Sequence, residues 1–116
     1  MKTLKLTLKK QWFDMILFGM KTEEYREIKP YWIKRIAKEW NLLNEELTIW
    51  EKGNEMFKSM PFDRIEFTNG YNPKSPKVIL ECKGIEIGTG NTKWGAIEHE
   101  TYFVIKLGSE VSRKNC

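Results

Sequence analysis

From Leu4 to Leu8 the chain alternates, with Leu4, Leu6 and Leu8 set against Lys5 and Thr7, which is the period of a half-buried strand. At Gln11 the period lengthens. Phe13, Ile16 and Leu17 recur at helical spacing, Trp12 and Met15 widen the stripe, and Gly19 supplies a stop. Alternation returns over Thr22–Ile28, and Pro30 then opens a second helix at a position where its missing N–H costs nothing. Ile33, Ile36, Ala37 and Trp40 form that helix's inner stripe, with Lys34, Arg35, Lys38 and Glu39 on its outer face. The region 42–60 mixes weak helical and weak strand spacing, broken by Gly53, and reads as an insertion.

Order resumes at Arg64–Thr68, where Ile65 and Phe67 alternate with polar neighbours. The turn-rich NGYNPKSP follows, then a long strand Lys77–Ile87 with Val78, Leu80 and Cys82 on one face and Ile79 and Glu81 on the other. GTGNTKWG is a further loop, Thr101–Leu107 a final strand, and 109–116 a flexible tail. Five or six short strands, Gly and Pro turns and two or three helices predict an α+β fold, a small β-barrel with helices packed around it. One domain over residues 1–108 accounts for all of it.

Composition narrows the class. The chain of 116 residues is 41% hydrophobic and 31% charged, an ordinary balance for a single folded domain. Five Trp and an aromatic share of 13% are high for this size, so some rings are expected at a groove or interface. A net charge of +4 leans towards polyanionic partners, although lysines spread along the chain fit a solubilising surface equally well. With two cysteines, Cys82 in an apolar run and Cys116 at the end, and one histidine, His99, no disulfide framework or metal site is expected. The opening MKTLKLTLKK carries charges throughout, so no secretory leader is expected; a cytoplasmic monomer with no membrane association and no cofactor is the default.

The candidate chemistry lies in GMKTEEYREIKPYW, Gly19 to Trp32. Strand alternation puts Glu24 and Arg26 on one face with Ile28, and Glu23, Tyr25 and Glu27 on the other. Lys21, at the turn from helix to strand, leans towards Glu24. Charges heading inward must pair or face a wet pocket, and Glu81 on a mostly apolar strand poses the same requirement. Two readings stay open: an ion-pair network closing one end of a barrel, or the wall of a site for a flat, polar ligand.

Gly19, Lys21, Glu24 and Arg26 reproduce the G-x-K-x-x-E-x-R pattern of the ASCH domain, a branch of the PUA-like superfamily. The setting of strand, short helix, motif and strand resembles that family too, as do FTNGY and VILECKGIEIG more weakly. The resemblance implies a small PUA-like barrel with a cleft beside the motif that binds RNA or a nucleotide. Some relatives hydrolyse N4-acetylcytidine and others are linked to RNA cleavage, which implies catalytic candidates at Lys21, Glu24 and Glu81. Where the amidohydrolase-like members carry a threonine, this chain has Glu24 and so lacks that hydroxyl. A metal-independent ribonuclease is the other enzymatic reading. Lys21 and Arg26 would meet a phosphate, and Tyr25, Tyr31, Trp32, Tyr71 or Trp94 a base, with Asn69 and Asn91 as loop ligands or turn residues. A third reading, from a different class, is a protein-interaction adaptor whose interface is the Trp-rich segment from Trp32 to Trp50.

Overall fold

Gly19 determines how the chain enters the motif. The first helix, α1 (Lys10–Leu17), follows strand β1 (Thr3–Thr7) and buries Phe13 and Ile16. It ends with Gly19 at φ 74°, a left-handed conformation that glycine adopts without a Cβ clash. The Gly19 N–H donates to the Ile16 carbonyl at 3.1 Å and the Met20 N–H to the Met15 carbonyl at 2.8 Å, the paired bonds of a Schellman cap. The Lys21 N–H also reaches the Met15 carbonyl, at 3.0 Å. The cap therefore folds Lys21 back under the helix as the chain enters strand β2 (Glu23–Glu27).

This computed structural model describes residues 2–36 and 62–116. After β2 come α2 (Pro30–Ile36), β3 (Arg64–Thr68), β4 (Lys77–Thr89), a 3₁₀ turn at Thr92–Trp94 and β5 (Thr101–Lys114). Pro30 is the first residue of its helix, as its missing N–H predicts. Ala37 and Trp40, expected in that helix's inner stripe, the 42–60 insertion and the expected Trp32–Trp50 interface beyond Ile36 lie outside the described residues.

The strands form one sheet in the order β1-β3-β4-β5-β2, with β1 parallel to β3 and every other pair antiparallel. Curled with the two helices, this mixed sheet is a half-barrel in an α+β domain. Its concave face holds a core of Leu4, Leu6, Ile65, Phe67, Val78, Phe103 and Ile105, closed by Phe13 and Ile16 from α1 and by Ile33 and Ile36 from α2. A smaller cluster lies on the other side of β2 and β5, where Tyr25, Tyr102 and Val104 are covered by Ala96. Among the described residues no helix is long and apolar enough to cross a membrane.

Two expectations are corrected. The last strand does not stop at Leu107: residues 108–114 continue β5, with Leu80 opposite Glu110 and Val78 opposite Arg113. Ladder bonding to β4 holds this segment, whose side chains are mostly exposed. In addition, Glu81 is exposed on the outer face of β4, because Val78, Leu80 and Cys82 take the inner one.

Candidate functional site

Because β2 alternates faces, Glu24 lies opposite Ile105 and Arg26 opposite Phe103, both on the core side of the sheet. Lys21 joins them from the capped turn. Its ammonium donates to Glu24 Oε1 at 2.7 Å and to the Glu23 carbonyl at 2.9 Å. The Tyr25 N–H reaches the same oxygen at 3.1 Å, while Arg26 Nη1 binds Glu24 Oε2 at 2.7 Å. One buried carboxylate thus bridges two cations. Lys21 is the most deeply sealed of the three, at 2% exposure, with its ammonium 5.5 Å from the Trp12 ring centre and 5.2 Å from that of Tyr25. Burial pushes its pKa below the ordinary 10.5 and outweighs the opposing pull of Glu24.

Arg26 does a second job. Strands β1 and β2 are the two edges of the curled sheet, and Arg26 Nη2 spans the seam between them to the Thr7 carbonyl at 3.3 Å. Two residues back along β1, the Lys5 carbonyl accepts from Arg35 Nη2 of α2 at 2.8 Å. The free edge of β1 is therefore capped by guanidinium groups in place of a neighbouring strand. Trp32 lies beside both, with each guanidinium carbon 5.1 Å from its ring centre.

A cleft of about 610 Å³ opens along this seam. Glu24 and Arg26 of the motif form part of its wall, and Lys5, Lys9 and Arg35 bring the cations facing it to four against the carboxylates of Glu24 and Glu27. Rings supply much of the remaining surface: Trp12 from α1, Tyr31 and Trp32 from α2, Tyr71 from the β3–β4 loop and Trp94 from the 3₁₀ turn. Tyr71 is almost fully exposed, at 93%.

Tyr25 holds the loop on the outer side of β2. Its hydroxyl donates to Glu23 Oε1 at 2.8 Å and accepts the Asn91 N–H at 2.9 Å, which pins the loop that carries Trp94. Desolvation raises the pKa of this phenol. Lys106, on the same outer face, pairs with Glu23 and with Glu86, the latter at 3.2 Å. The loop packs so tightly that a Cβ on Gly90 would lie 2.6 Å from that of Ala96 and 2.8 Å from the Tyr25 ring.

The sequence-predicted site residues now divide into two groups. Glu24, Tyr25, Arg26, Trp32, Tyr71 and Trp94 share the cleft, and Lys21 supports it from behind. Asn69 does not face it: its amide donates to the Leu8 carbonyl at 3.0 Å and ties the β3–β4 loop to the end of β1. Asn91 accepts from the Lys93 N–H as a turn residue, and His99 is an exposed loop residue. Glu81, on the outer face, does not join Lys21 and Glu24, so the three catalytic candidates are not gathered around one point. No family model matches the chain, and no curated protein or solved structure matches it. The sequence reading missed Lys5, Lys9, Trp12 and Arg35 as cleft residues. Only Arg35 carried a local signal, since it lies one helical turn after Tyr31 and its guanidinium carbon is 5.7 Å from that ring.

Proposed function

We propose that the chain is an ASCH-type domain of PUA-like architecture that binds RNA or a nucleotide in the seam cleft. The observation that supports this reading is the placement of the motif: its Glu24 and Arg26 are wall residues of a cleft lined by cations and rings. Guanidinium and ammonium groups meet phosphates, and aromatic faces accept bases without sequence preference. Binding asks less of the geometry than turnover, because Lys21 is sealed beneath the wall and Glu81 faces away.

Trp12, Trp32 and Trp94 line the cleft, so their fluorescence reports occupancy. Titration with a short single-stranded RNA at several salt concentrations should give a logarithm of affinity that falls linearly with the logarithm of salt, as released counterions require. Arg35→Ala should weaken binding and flatten that slope. Absent or salt-independent binding by the wild-type chain ends the proposal.

A further inference from the structure

The rings of the cleft are not one platform. At one end, α2 presents Tyr31 and Trp32 edge to face, their centres 4.8 Å apart, with Arg35 over both and anchored on the Lys5 carbonyl. The other end lies past the last residue of β1, where Leu8 and Lys9 line the cleft together with Tyr71 and Trp94. There the Leu8 N–H and carbonyl are bonded to the Thr68 carbonyl and Asn69, which places the Tyr71 loop against Leu8. Trp12 packs within about 3 Å of where a Gly95 Cβ would be, which seats the Trp94 turn at this same end. Arg26 lies between the two ends, bonded to the Thr7 carbonyl and retaining a buried Nε–H without a hydrogen-bond partner.

Distance decides what such a cleft can take. Lys5 and Leu8 are three residues apart on an extended strand, roughly 10 Å at ~3.3 Å per residue. One base, ~3.4 Å from whatever stacks on either face, cannot touch rings at both ends, whereas two neighbouring bases between the clusters make three such intervals, again roughly 10 Å. Resting on the proposed nucleotide reading, we infer that the occupant is single-stranded nucleic acid with two neighbouring bases, one on each ring cluster, and the linking phosphodiester at Arg26. The exposed Lys5 and Lys9 flank the path of the backbone. A paired duplex is excluded, because both bases are engaged by their faces.

Calorimetric titration of the full chain with uridine monophosphate, the uridine dinucleotide and the deoxyuridine dinucleotide tests this. The dinucleotides should bind one to one and at least roughly five-fold more tightly than the monophosphate, the low end of what one added stacked base contributes. Tyr31→Ala and Tyr71→Ala should each remove most of that advantage. Both rings are exposed, at 60% and 93%, so loss of fold does not obscure the result. Preference for the uridine form assigns the strand to RNA through its 2′-hydroxyl, while equal binding assigns it to either sugar; both carry the proposal. Equal affinity for monophosphate and dinucleotides overturns it and leaves nucleotide binding standing. No binding by any of the three overturns both.

Discussion

Replacing Glu24 by Gln keeps the shape of the side chain and removes the charge that Lys21 and Arg26 share. Arg26 retains contact with the Thr7 and Tyr25 carbonyls. Lys21 retains the Glu23 carbonyl, one amide oxygen and the Trp12 and Tyr25 rings, but loses its bonded counter-charge while staying buried. Orphaning one member of a buried pair costs about 3–5 kcal/mol, a large share of the ~5–15 kcal/mol that holds a domain of this kind together. Urea unfolding followed by Trp fluorescence measures the loss. The deficit should also depend on pH in a fixed direction. The folded-state pKa of Lys21 lies below its unfolded value of 10.5, so between the two the unfolded chain binds more protons and stability rises with pH. Removing Glu24, which raises the Lys21 pKa, stretches that window to lower pH. Relative to wild type, in which Cys82 loses the same stability above pH 9.0, Glu24→Gln should therefore recover stability as pH rises towards 10.5, by up to about 1.4 kcal/mol per pH unit. Lys106 does not mask this, because hydrogen bonding to Glu23 raises its pKa and its contribution is lost only above 10.5. If the ammonium is the cause, Lys21→Met combined with Glu24→Gln should be more stable than Glu24→Gln alone. A Glu24→Gln loss under about 1 kcal/mol with no pH trend, or a double variant no better than the single, would mean that Lys21 does not carry the cost of burial.

Three further outcomes are expected. Gly90→Ala drives a methyl into Ala96 and the Tyr25 ring and should cost about 1–3 kcal/mol in thermal unfolding, with weaker RNA binding as the Trp94 loop shifts. Tyr25→Phe strands the Asn91 N–H and should cost about 1–3 kcal/mol by urea titration. Cys82 is buried with its pKa pushed up by desolvation, whereas Cys116 is exposed, so a thiol reagent should count one cysteine in the native chain and two after denaturation.

Local periodicity carried much of the fold. The bounds of β3 are those read from Ile65 and Phe67, and the alternation of β2 placed Glu24 and Arg26 inward and Lys21 beside them. It could not carry what depends on partners far along the chain. Residues 108–114 have no buried face of their own and are strand only because β4 offers a ladder. For Glu81, the apolar side Val78, Leu80 and Cys82 already pointed the carboxylate outward; the charge alone gave no reason to bring it in. Lys5, Lys9 and Trp12 belong to the cleft only because curling brings the β1 edge to β2. No pattern within either segment encodes that approach.

Under the proposed function, a nucleic-acid strand enters the open cleft along the β1–β2 seam. Backbone and indole N–H chemical-shift mapping with the uridine dinucleotide tests it most directly. Shifts confined to Arg26, Trp12, Trp32, Tyr71, Trp94 and their neighbours are the predicted result. Shifts centred on the outer face of β4 around Glu81, with the seam unmoved, contradict it.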